Sequence, residues 1–107
     1  MKPYAKKRFG QNFLIDPNIL RKIAATINPQ PGEEIIEIGP GRGALTEHLL
    51  QAGAIVHAIE LDDDLIPILN EKLGDYNNFK LYHGDALKFD FSQIFRGGRK
   101  VKYTGNV

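Results

Sequence analysis

Glu37-Ile38-Gly39-Pro40-Gly41-Arg42-Gly43 follows an apolar run, Ile35, Ile36 and Ile38, and leads into a segment, Ala44 to Ala52, with the spacing of a helix. A strand that turns through glycines into a helix brings bare backbone N–H groups and a helix N-terminus close to a ligand. The arrangement suits a nucleotide-like cofactor.

Toward the N-terminus, Asp16-Pro17 reads as a helix start, with Asp as N-cap and Pro at the first helical position. Ile19, Leu20, Ile23, Ala24 and Ile27 recur at helical spacing up to Asn28-Pro29. Pro31-Gly32 turns the chain into a strand, Glu34–Ile38. In the helix after the glycines, Leu45, Leu49 and Ala52 face one way and Gly53 closes it. Ile55–Ile59 is a second strand ending at Glu60. Asp62, Asp63 and Asp64 suit the positive end of a further helix, with Leu65, Ile66, Ile68, Leu69 and Leu73 on its buried face. Pro67 is tolerated there if the helix begins at Asp63 or Asp64, which puts the proline in the first turn. Phe79–Tyr82 is a third strand, Phe91–Phe95 a short helical turn and Val101–Thr104 a fourth strand. Strands alternating with helices imply βαβ units and a parallel sheet.

With 107 residues, one domain is the most the length allows, and it is short for a complete doubly wound one. The absence of Cys excludes disulfides and thiolate metal sites and fits a reducing, cytoplasmic setting. No apolar run approaches the roughly 18 residues of a membrane span. The N-terminus is positive, but no apolar stretch follows it, so it does not read as a secretory signal. A net charge of +1 hides segregation: +5 over residues 1–32, −8 over 33–90 and +4 over 91–107. Basic ends around an acidic middle suit either solvated tails or a surface for phosphates.

Gly39-Pro40-Gly41-Arg42-Gly43-Ala44 also satisfies G-x-G-x-x-G/A, with Glu60 about twenty residues on, so an NAD-type dinucleotide-binding domain is one reading. S-adenosylmethionine is the other, since its ribose also needs an acidic acceptor after the second strand. Two features favour it. Glu37, two residues before the first glycine, would repel a pyrophosphate more than a zwitterionic amino acid. Asp85, in Gly84-Asp85-Ala86 after the third strand, is placed to accept from an adenine amine. Taken singly, Asp85 reads as a turn residue and Glu60 as a solvent-facing strand end.

Phe9-Gly10-Gln11-Asn12-Phe13-Leu14, Glu37 through Thr46, Ile59-Glu60-Leu61-Asp62, Gly84-Asp85-Ala86 and Gly105-Asn106 resemble successive motifs of the ribosomal RNA adenine dimethyltransferases. The resemblance runs from about Lys7 to the end of the chain. It is nearest to the branch that dimethylates two adjacent adenosines near the 3′ end of small-subunit rRNA. The Gly-Pro-Gly-Arg-Gly form looks less like the antibiotic-resistance branch, which acts on large-subunit rRNA. The resemblance implies a truncated Rossmann-like, S-adenosylmethionine-dependent methyltransferase fold of the α/β class, with a parallel sheet of order 3-2-1-4 and flanking helices. Residues 1–107 would form a single partial domain. Residues 1–15 would be a basic arm and cofactor loop, and 16–107 the N-terminal cofactor-binding half of the methyltransferase domain.

By the same resemblance, Asn12 and Leu14 line the methionine end of S-adenosylmethionine, and Gly39 and Gly41 allow close backbone approach. Glu60 accepts from the ribose hydroxyls, Asp85 from the adenine amine, and Asn106 lies beside the reacting methyl as the catalytic residue. The family motif is Asn–aliphatic–Pro–aromatic, of which Asn106-Val107 is the first half. The expectation is therefore a piece that binds cofactor but does not turn over. With the fourth strand at an edge, it is also expected to self-associate through Val101–Thr104 or to be only marginally stable. Lys6, Lys7, Arg8, Arg96, Arg99, Lys100 and Lys102 are candidates for phosphates of small-subunit rRNA in the pre-ribosomal subunit. A non-catalytic RNA-binding module is a further alternative. His48, His57 and His83 show no metal-binding spacing and read as structural.

Overall fold

A computed structural model describes residues 16–93 and 101–105. Helix α1 spans Pro17–Ile27, strand β1 Glu34–Ile38, helix α2 Ala44–Gln51, strand β2 Ile55–Glu60, helix α3 Leu65–Leu73, strand β3 Phe79–His83 and strand β4 Val101–Gly105. Two short 3₁₀ turns, Ala86–Lys88 and Phe91–Gln93, follow β3. The strands form one parallel sheet of order β3-β2-β1-β4, as the family resemblance implies. Ile38 pairs with Ile59 on one side and Gly105 on the other, so the strand ends lie in a row. The site is built along that row.

Local chemistry sets the boundaries. Asp16 caps α1 by accepting from the Asn18 N–H at 2.8 Å, and Asn28 ends it in the left-handed conformation (φ 52°). In α3 Pro67 is the third residue, where its missing N–H breaks no intrahelical bond. The start at Leu65, rather than Asp63 or Asp64, follows from Asp62: its side chain accepts from the Asp64 N–H at 2.9 Å and holds the acidic segment in a turn.

Because strand side chains alternate, each inner strand serves two cores. Ile35, Val56 and Ala58 face α2 and α3, packing with Leu49, Leu50, Leu65, Leu69 and Leu73. On the opposite face Ile36 and Ile59 meet Tyr82, Phe89 and Phe91, whose rings stack edge to face at centroid distances of 5.1 and 5.2 Å. The helix faces differ in detail from the periodicity. Thr46, Leu49 and Leu50 are the buried positions of α2, while Leu45 and Ala52 are only partly covered. Ile19 and Ile23 of α1 stay exposed, and Leu20 alone is buried there. A periodic apolar stripe marks the face of a helix, not how much of it the neighbours reach.

Glu37 shares the helix side with Ile35 and is 2% exposed. Thr46 of α2, fully buried, donates its hydroxyl to Glu37 Oε1 at 2.5 Å. Burial raises the Glu37 carboxyl from an ordinary value near 4.5 to about 7; the Thr46 bond opposes the shift and the Glu60 charge adds to it. The next residues form the turn, with Gly39, Gly41 and Gly43 all at positive φ (69°, 63° and 87°). The Gly43 N–H donates to the Pro40 carbonyl at 3.0 Å, and Lys72 of α3 donates its ammonium to the Arg42 carbonyl at 3.1 Å.

Two tests follow from this packing. A Cβ at Gly43 would lie 2.8 Å from Leu73 Cδ1 and 3.1 Å from Leu69 Cδ2, whereas one at Gly39 or Gly41 would meet nothing within 4 Å. In urea denaturation, Gly43→Ala should therefore cost about 2–4 kcal/mol, from backbone strain plus overpacking, and Gly39→Ala or Gly41→Ala only about 1–2 kcal/mol from strain. The second concerns pH. Folded Glu37 binds its proton more tightly than the unfolded chain does, so its contribution is fully present below about pH 4.5 and is lost as pH rises to about 7. Stability should decline over that window by about 3 kcal/mol from this group, and Glu37→Gln should lack that part of the slope.

Candidate cofactor site

Backbone bonds first bring the three loops together. The Gly39 N–H donates to the Ile59 carbonyl and the Gly84 N–H to the Glu60 carbonyl, each at 2.9 Å. The glycine turn after β1, Glu60 at the end of β2 and Gly84-Asp85 after β3 thus form a continuous row at one edge of the sheet. Of the residues read from the sequence, Gly39, Gly41, Glu60 and Asp85 are brought together here. Asn12, Leu14 and Asn106 lie outside the described residues.

Glu60 is only 6% exposed. Its Oε2 accepts from the Asp62 N–H at 2.9 Å, and its Oε1 faces the Gly41 N–H at 3.4 Å, the long end of hydrogen-bond range. The carboxylate is fixed by one good bond and holds its other oxygen toward the turn. Asp85 caps the first 3₁₀ turn, with Oδ1 accepting from the Leu87 N–H at 2.9 Å. Its Oδ2 carries no bond among the described residues. This is the turn role that Asp85 has when taken singly, and it leaves one oxygen free.

The geometry tests whether a nucleoside would fit. A Cβ at Gly39, Gly41 or Gly84 would project into open space. Backbone is therefore presented bare at three points around Glu60 and Asp85. Large apolar side chains follow both acceptors: Leu61 is 63% exposed and Leu87 94% exposed. Sequence reading passed over both, although an apolar residue just beyond an acidic strand end was a visible signal. Thr46 and Gly43, which sequence reading named in the motif without a role of their own, fix the turn from beneath and behind.

The turn does not present three free amides. Those of Gly39 and Gly43 are bonded to backbone carbonyls, and that of Gly41 points toward a carboxylate. With Glu37 buried beneath and Glu60 beside it, the turn is a poor seat for a pyrophosphate and a good one for a ligand bearing positive charge.

Among the described residues two histidines make side-chain contacts, and one of them, His83, ends β3 as the register partner of Glu60. His57 is buried, with Nε2 2.9 Å from Glu34 Oε1 and Nδ1 3.2 Å from the Tyr82 hydroxyl, so both ring nitrogens are partnered. His83 Nε2 is 2.6 Å from Asp63 Oδ1 at the surface. Among the described residues no group of His, Cys, Asp or Glu is arranged to hold a metal ion.

Residues 3–107 match the family model described as ribosomal RNA adenine dimethylase. The ribosomal RNA small subunit methyltransferase A of Pseudomonas putida is 54% identical over 103 residues, covering 96% of this chain; the chain spans 39% of that relative's length. Among solved structures, the 23S rRNA methyltransferase ErmE superposes with a TM-score of 0.75 at 30% identity, over 90% of this chain and 37% of the other. A SAM-dependent methyltransferase from Geobacter sulfurreducens, in complex with S-adenosyl-L-homocysteine, gives 0.57 at 25% identity, over 67% of this chain and 30% of the other. A parallel sheet of order β3-β2-β1-β4 with its glycine turn after β1, matched over nearly the full chain by model and relatives alike, places this chain in the ribosomal RNA adenine dimethylase family.

Proposed function

We propose that this chain is the S-adenosylmethionine-binding portion of an rRNA adenine N6,N6-dimethyltransferase acting on adjacent adenosines near the 3′ end of small-subunit rRNA. The observation that carries the reading is the row of bare backbone at Gly39, Gly41 and Gly84 interleaved with the acceptors Glu60 and Asp85. Glu60 Oε1 takes a ribose hydroxyl in exchange for its long contact to the Gly41 N–H. Asp85 keeps its cap through Oδ1 and offers Oδ2 to the adenine amine. Leu61 and Leu87 supply apolar surface to the base. Asn12 and Leu14 line the amino-acid end.

Bound S-adenosylmethionine would supply an electrophilic methyl on a sulfonium. The protein's task is orientation, because an adenine N6 lone pair is delocalised into the ring and attacks poorly. Asn106, one residue beyond β4, accepts from an N6–H, holds the nitrogen in line and favours a localised lone pair. This chain carries only the first half of the family's Asn–aliphatic–Pro–aromatic motif. Its proposed role is cofactor binding, with residues 1–15 as a basic arm and cofactor loop and 16–107 as the cofactor-binding half of the methyltransferase domain. The basic residues Lys6, Lys7, Arg8, Arg96, Arg99, Lys100 and Lys102 are assigned to rRNA phosphates. Among the described strands β4 pairs only with β1, and its other edge is where further strands, or a second copy of this chain, would add.

A dinucleotide-binding domain is the weaker reading because the Gly39 and Gly43 amides are already bonded and the Gly41 amide faces the Glu60 carboxyl group. Titration calorimetry separates the two. S-adenosylmethionine should bind and NAD should not. Glu60→Gln, which preserves shape, and Asp85→Ala should each weaken S-adenosylmethionine about tenfold to a hundredfold, the scale of a lost charge-assisted hydrogen bond. Tighter binding of NAD, or variants with unchanged affinity, would contradict the assignment.

A further inference from the structure

Glu37 is a buried acid that the cofactor contacts proposed above do not use. Its carboxyl group, 2% exposed, has one hydrogen-bond partner among the described residues, Thr46 Oγ1 on Oε1; nothing described bonds Oε2. An ionised carboxylate accepts about four hydrogen bonds, so burying one with a single donor is unfavourable, and the neutral acid suits the site better. The groups around it reinforce this. From β2 the charged neighbour is Glu60, of like sign. From α2 the neutral Thr46 faces it, α3 brings Leu69 and Leu73 against Gly43, and on β4 the register partner is Thr104. Among the described residues the one side-chain bond to Glu37 comes from Thr46, and Lys72 is bonded to the Arg42 carbonyl. Among the described residues no cationic group is bonded to Glu37, and the open glycine turn two residues away is where a ligand would bring a counter-charge.

We propose that Glu37, set by Thr46 beneath the glycine turn, is a specificity-determining residue that reads the ligand's charge: a sulfonium donor favours its carboxylate, the proton going to solvent, and a neutral thioether favours its acid form, a proton being taken back. The inference rests on the cofactor reading given above. The ionised carboxylate is then worth most when the methyl donor is present. The donor is held in preference to its own demethylated product, and the preference grows with pH.

The test is calorimetry of the full 107-residue chain with S-adenosylmethionine and S-adenosylhomocysteine, near pH 7, in phosphate and in Tris, whose ionisation enthalpies differ. With the carboxyl titrating at about 7, donor binding should release about half a proton and product binding close to none. The donor-to-product affinity ratio should rise about threefold to tenfold between pH 6 and pH 8. Sinefungin, which has an amine in place of the methylsulfonium, should release a proton as the donor does. Glu37→Gln should abolish the difference in proton release and flatten the ratio. Thr46→Val, which removes the bond that favours ionisation, should move the midpoint to higher pH. Equal proton counts for donor and product, or a ratio that still rises with pH in Glu37→Gln, overturns this proposal alone. Failure of either ligand to bind overturns it together with the cofactor assignment.

Discussion

Leu73 Cδ1 and Leu69 Cδ2 occupy the space that a Cβ at Gly43 would need, and the rest of the site depends on that contact. It lets α3 lie against the point where the glycine turn becomes α2. The turn is thereby trapped between β1, which starts it, and a helix that belongs to the next βαβ unit. Lys72 reaches back from the same helix to the Arg42 carbonyl and closes the arrangement from outside. Held in this way, the turn can keep three residues at positive φ without side-chain contacts of its own at Gly39 and Gly41. Those two positions are thereby left bare for a ligand.

The electrostatics of the site come from how two carboxylates are supported. Glu60 is nearly buried but accepts from the Asp62 N–H and faces the Gly41 N–H. Glu37, more deeply buried, has the Thr46 hydroxyl and the repulsion of Glu60. Burial therefore raises the Glu37 carboxyl at the foot of the turn, and a perturbed acid in such a place is typical of functional sites. An anionic pyrophosphate would meet both. A sulfonium with an ammonium close by would satisfy both.

Much of this was legible in the sequence because it rests on local rules. The Asp16-Pro17 start of α1, the Gly53 turn after α2 and the strand β1, Glu34–Ile38, follow from capping, glycine conformation and apolar runs, and the structure has them as read. The acidic ends of β2 and β3 were visible as Glu60 and Asp85 for the same reason. What was not legible depends on neighbours far away in sequence. Periodicity gave Ile19 and Ile23 the same standing as Leu20, although only Leu20 finds a surface to pack on. Gly43 looked like one glycine among three, and its distinction lies in α3, some thirty residues on. Thr46 looked like an ordinary helical polar residue until β1 placed Glu37 opposite it. The 3₁₀ turn at Ala86–Lys88 is set by Asp85 acting as its cap through Oδ1. Asn12, Leu14 and Asn106 rest on the family resemblance, since they lie outside the described residues.

The most direct measurement is a two-dimensional amide NMR titration of the 107-residue chain with S-adenosylmethionine, with NAD as the control. The account predicts dispersed peaks, with shifts concentrated at Gly39, Gly41, Glu60, Leu61, Gly84 and Asp85 for the methyl donor and none of comparable size for NAD. Shifts at the glycine turn with NAD alone, or a dispersed spectrum that S-adenosylmethionine leaves unchanged, would contradict it.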